Sequence, residues 1–168
     1  MRKPMSHKRI SADVRDEGGN TSLMRAALDG QTEIVKGLLR NGAAANAQNL
    51  EGRTALMFAI INLRTSTVKT LLQFGADVNI QARCGCTPLM LAACSGDIGI
   101  TQALLNRGAD ARKICWPGKT ALVAAIEHGY EAIAELLKRA MGQSERAKPE
   151  KRPSSLEPER SAVASATN

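Results

Sequence analysis

Residues 71–79 read Leu-Leu-Gln-Phe-Gly-Ala-Asp-Val-Asn, and residues 85–93 read Gly-Cys-Thr-Pro-Leu-Met-Leu-Ala-Ala. In the second stretch Thr87 offers a hydroxyl to cap a helix, and Pro88 takes the first helical position, where a missing N–H costs nothing. The pattern recurs outward in both directions. Thr21, Thr54, Thr87 and Thr120 stand 33 residues apart. Two residues before each comes Gly19, Gly52, Gly85 or Gly118, and two after comes Leu23, Leu56, Leu89 or Leu122. Five after each is Ala26, Ala59, Ala92 or Ala125, and seventeen after is Leu38, Leu71, Leu104 or Leu137. Five columns in register over four units establish an internal repeat.

Each unit reads as a helix, a turn, a second helix and an extended finger. The first helix is rich in alanine (Ala26-Ala27, Ala92-Ala93, Ala124-Ala125), which lets neighbours pack closely. Gly30, Gly96 and Gly129 end it in the left-handed conformation that helix ends favour. The second helix carries apolar residues at helical spacing, as in Ile34, Val35, Leu38 and Leu39, and ends near Gly42, Gly75 or Gly108. The second unit departs from the pattern. It has Leu63 where the turn glycine belongs, so this turn is either strained or of another type, and the unit should be the least ideal. Lys138 stands in the column of Leu39, Leu72 and Leu105, so the fourth unit is expected to cap the C-terminal end of the stack.

These motifs, Gly-x-Thr-(Pro)-Leu-x-x-Ala-Ala and Leu-Leu-x-x-Gly-Ala-Asp-x-Asn, resemble the ankyrin repeat over about residues 16 to 140. The resemblance implies an all-α solenoid of stacked helix-turn-helix units with β-turn fingers. The repeat domain is expected at 16–141, divided near 16–48, 49–81, 82–114 and 115–141. A basic tail at 1–15 and a Pro-, Ser- and charge-rich tail at 142–168 are expected to be disordered. The family often has His three residues after the Thr; here Met24, Met57, Met90 and Val123 stand there, predicting a different local hydrogen bond.

The resemblance also implies where a partner binds: on the concave groove made by finger tips and the exposed side of the first helices. By register the second unit supplies Leu50, Glu51, Arg53, Ile61 and Asn62, and the third supplies Arg83, Cys84, Cys86, Cys94 and Ser95. The fourth supplies Trp116, Lys119, Glu127 and His128, and the first Asn20, Leu28 and Asp29. Trp116, the single tryptophan, falls on a finger tip, where it serves either as an interface anchor or as packing over Pro117.

Composition narrows the function. The 168 residues are 43% hydrophobic but only 2% aromatic, so aliphatic side chains must fill the core. The net charge of +7 permits an anionic partner without requiring one. Within residues 18–140, thirteen Lys and Arg face nine Asp and Glu, and only Trp116 offers a stacking platform. A nucleic-acid or anionic-surface binder is therefore the alternative to a protein-binding adaptor or inhibitor. No phosphate-cradling loop and no catalytic constellation is visible, so no enzyme activity and no cofactor are expected. Cys84, Cys86, Cys94 and His128 share groove positions, but the Cys-x-Cys spacing lacks an answering pair, and free thiols are expected rather than a metal or redox site. No apolar run spans a membrane and no signal peptide is read, which gives an expected monomer inside a cell, in the cytoplasm.

Overall fold

The computed structural model describes residues 14–146, with side chains to 142. The expected tails over 1–13 and 147–168 lie outside the described residues. Among the described residues the chain forms four helical hairpins. The first helices are α1 (Ser22–Asp29), α3 (Ala55–Ile61), α5 (Pro88–Ser95) and α7 (Ala121–Glu127). The second helices are α2 (Thr32–Arg40), α4 (Thr65–Gln73), α6 (Ile98–Asn106) and α8 (Glu131–Arg146). Each first helix packs on the first helix of the next hairpin, and each second helix on the next second helix, so two helical layers run the length of the stack.

All four threonines cap as expected. Their hydroxyls accept from the N–H of Met24, Met57, Met90 and Val123 at 3.3–3.4 Å. The methionine that replaces histidine makes its own bond in the first unit, where the Thr21 N–H donates to Met24 Sδ at 3.4 Å. The core runs continuously between units through Leu23, Leu56, Leu71, Leu89, Leu104 and Leu137, all buried. Each contributes roughly 1.5–3 kcal/mol from its burial. Buried polar atoms are partnered: Thr32 and Thr67 share a hydroxyl–hydroxyl bond of 2.9 Å across α2 and α4.

Three places depart from the regular repeat. Arg15 bridges to Thr21 in the first finger, and α8 continues to Arg146. Leu63 takes the strained alternative: it holds φ +54, the one non-glycine residue with positive φ among the described residues. The C-terminal cap is incomplete. Lys138 is exposed as expected, but Val123 (38%) and Ile126 (58%) are also exposed, although the residues in their columns in the earlier units are buried. The next unit covers those columns elsewhere, and no fifth hairpin follows α7 and α8 among the described residues.

Candidate functional site

The fingers are joined into a rail by backbone hydrogen bonds that repeat with the same register. The N–H of Leu50 donates to Gly18 O at 3.0 Å, that of Arg83 to Glu51 O at 2.9 Å, and that of Trp116 to Cys84 O at 3.0 Å. A second row of side chains reinforces the rail. Arg15 donates to Gly19 O and Gln48 O, Gln48 to Gly52 O and Gln81 O, and Gln81 to Gly85 O and Ile114 O. Each side chain in this row thus closes its own finger and grips the next. The row ends at Ile114, which has no side-chain donor. Sequence reasoning missed this ladder, although its signal was the 33-residue spacing of Arg15, Gln48 and Gln81.

On this rail Leu50, Arg83 and Trp116 occupy one column. Leu50 is exposed and Trp116 is 84% exposed, so the indole does not fold over Pro117 as packing. The Arg83 side chain makes no hydrogen bond or ion pair among the described residues. The rim cations Arg53, Lys119 and Arg25 are paired, with Glu51 at 3.1 Å, Glu127 at 2.7 Å and Asp16 at 2.9 Å. The Glu127 carboxylate beside Lys119 raises the ammonium above the usual lysine range.

The helix side of the groove divides into two columns. Leu28, Ile61, Cys94 and Glu127, seven residues after each threonine, are exposed. In the next column Asn62 donates to Phe58 O at 2.9 Å and Ser95 to Leu91 O at 2.8 Å, while His128 Nδ1 pairs with Ala124 O at 2.8 Å. These three expected contact residues are therefore turned onto their own helices. His128 also stacks on Tyr130, with ring centroids 5.9 Å apart. At the N-terminal end Asp16, Asn20, Met24, Arg25, Leu28, Asp29 and Phe58 line a concavity of about 250 Å³. It includes all three residues expected from the first unit, and adds Asp16, Met24, Arg25 and Phe58.

The cysteines gather at the third and fourth fingers. Cys84 and Cys94 are exposed, Cys86 and Cys115 half-buried, and all four are free thiols. The Cys86 N–H holds the Cys84 thiol below the usual cysteine range, with a smaller contribution from the positive charge of Arg53. Burial first, then the neighbouring thiols of Cys84 and Cys115, push Cys86 up to about 12. No group of three or more His, Cys, Asp or Glu side chains suited to a metal ion occurs among the described residues.

A family model described as ankyrin repeats (3 copies) matches residues 5–82 and again residues 64–147. The chain belongs to the ankyrin-repeat family. No curated protein matches it closely enough to count as a relative. Ankyrin repeats are in general protein–protein interaction modules, and the all-α stack seen here is the ankyrin architecture. No helix among the described residues is long and apolar enough to cross a membrane.

Proposed function

We propose that this ankyrin-repeat chain is a non-catalytic adaptor or inhibitor that binds a partner protein as a monomer inside the cell, through its concave groove and finger tips. The observation that carries the reading is Trp116, 84% exposed on a finger whose backbone is tied to the preceding one. An indole displayed on a fixed backbone offers a large apolar contact at little entropic cost on binding. Leu50 and Arg83 continue its column along the rail, and Leu28, Ile61 and Cys94 add accessible surface along the first helices. Paired charges on the rim leave Arg83 as its most available cation, which argues against the dense basic surface that nucleic acid requires.

The test is parallel affinity capture from a lysate of the source cell, using wild type and a Trp116→Ala/Arg83→Glu variant shown to be folded by circular dichroism. A protein retained by wild type and lost by the variant supports the groove. Once that protein is in hand, Trp116→Ala alone should weaken its binding by about 2 kcal/mol or more, roughly thirtyfold in Kd. Equal recovery by both forms refutes the site. Recovery of nucleic acid that falls steeply with salt would instead support the alternative set out from composition.

A further inference from the structure

All four cysteines of the chain lie on the third and fourth units, and the close approach of two fingers connects them. Gly85 separates Cys84 from Cys86, and a Cβ placed on it would lie 3.0 Å from the Cα of Cys115 in the next finger. The same approach is fixed by the hydrogen bond from the Trp116 N–H to the Cys84 carbonyl at 3.0 Å. Cys86 is half-buried at this approach, where burial first and then the neighbouring Cys84 and Cys115 thiols push it above the usual cysteine range. Cys94, at the end of α5, lies near enough to Cys115 to sense its charge. We propose that these thiols form an oxidisable site in which a peroxide, reacting first at Cys84, links Cys86 to Cys115 in a disulfide that joins the third and fourth fingers and leaves Cys84 as a thiol. The proposal stands whether or not the groove binds a protein.

The steps balance with hydrogen peroxide as the oxidant. The exposed Cys84 thiolate attacks one peroxide oxygen. An S–O bond forms, the O–O bond breaks, and hydroxide leaves and takes up a proton as water. Cys86 sulfur then attacks the Cys84 sulfenic acid, an S–S bond forms, and a second water leaves. Two thiols are oxidised by two electrons and one peroxide is reduced to two waters. Cys115 next attacks Cys86 sulfur and expels Cys84, the more acidic and so the better leaving thiol, which gives a Cys86–Cys115 disulfide across the fingers. Cys84 is the first nucleophile because it is the exposed thiol whose charge is stabilised by the Cys86 N–H.

The experiment uses the full chain, reduced and desalted, then treated with hydrogen peroxide in slight molar excess and quenched by alkylation. Intact-mass and peptide analysis should show loss of two hydrogens, two thiols still alkylated, and a bridge from Cys86 to Cys115. Cys115→Ser should stop at a Cys84–Cys86 bridge. Cys84→Ser should slow oxidation severalfold, and Cys86→Ser should leave a Cys84 sulfenic acid that dimedone traps. Four alkylated thiols after treatment, bridges only between two chains, or the same rate and products in the urea-unfolded chain would each overturn the proposal. Because Cys84 is exposed, its serine variant keeps the fold, and its circular dichroism spectrum checks this.

Discussion

Alanine in place of Gly52 isolates the energy with which one finger grips the next. Gly52 is buried at φ +74, and a Cβ there would stand 2.9 Å from the Arg83 backbone nitrogen and 3.2 Å from the Ala82 carbonyl carbon. Gly75 in the same unit has nearly the same φ, +81, but nothing within 4 Å of a built Cβ. Left-handed backbone costs an L-residue about 1–2 kcal/mol. Restricting the unfolded chain returns about 0.4–1 kcal/mol. Gly75→Ala should therefore destabilise by about 1 kcal/mol. Gly52→Ala carries the same cost and must also push the third finger away, which lengthens the 2.9 Å bond from Arg83 N–H to Glu51 O. That bond is worth about 1 kcal/mol, so the total is about 2–3 kcal/mol once local repacking is included. Urea unfolding followed by far-ultraviolet circular dichroism reads the difference. With a slope of about 2 kcal/mol per molar, the midpoint should fall by ~0.5 M for Gly75→Ala and ~1–1.5 M for Gly52→Ala, at unchanged slope. Equal shifts would refute the claim that the fingers hold one another, and leave φ as the whole reason for both glycines.

Three further outcomes follow from the same geometry. Leu63→Gly should be neutral or stabilising by up to ~1 kcal/mol in urea unfolding, because it relieves φ +54 and its side chain is half exposed; a clear loss would show that this leucine packs. Ile60 and Ile126 occupy one column, yet Ile60 is fully buried and Ile126 is not, so Ile60→Ala should cost about 2–5 kcal/mol. Ile126→Ala should change stability by less than ~0.5 kcal/mol, and a large loss would mean that something covers the end of the stack. The Asn20 backbone N–H, then its side chain, lowers the Asp16 carboxyl below the usual aspartate range. Its stabilisation is therefore fully present above that range and lost as pH falls through the lower folded value. A carboxyl carbon NMR titration of Asp16 should give a midpoint below that of the unfolded chain, and an equal or higher midpoint would refute the pairing.

How much of this was legible depended on whether a feature repeats. The threonine caps, the leucine columns and the turn glycines recur every 33 residues, so their roles in one unit predict the others. The boundaries were less legible because they lie where recurrence stops. Arg15 belongs to the first finger through bonds to Gly19 O and Gln48 O, and a lone arginine between the acidic Asp13, Asp16 and Glu17 points to them only through its 33-residue spacing from Gln48. The polar cap is legible only in the second helix, from Lys138 and Arg139, yet a cap needs both helices of the last hairpin, and α7 keeps the apolar Val123 and Ile126 of an internal unit. Register placed Trp116 on a finger tip but left its exposure open, which the paired fingers then decide. Asn62, Ser95 and His128 fall on the groove by column, and their bonds to the carbonyl four residues back, which polar side chains at a helix end make readily, are not visible in the column itself.

Departures from the repeat concentrate where the third finger meets the fourth. The side-chain ladder that grips the earlier fingers ends at Ile114, and the next residues are Cys115 and the exposed Trp116. Opposite them are Cys84 and Cys86, in columns where the second unit has Glu51 and Arg53. A scaffold column is constrained by contact with its own neighbours, so a residue that such contact does not explain is the better guide to function. By that criterion the fourth finger is the centre of both readings, with the indole facing outward and the half-buried Cys86 and Cys115 where the two fingers approach. The readings separate cleanly by experiment, because Trp116→Ala removes the indole and leaves every thiol, while Cys115→Ser removes the bridge and leaves the indole. Loss of partner binding in the first variant alone would assign recognition to the indole. Loss that appears only after oxidation, and is abolished by the second, would make the disulfide the control over recognition.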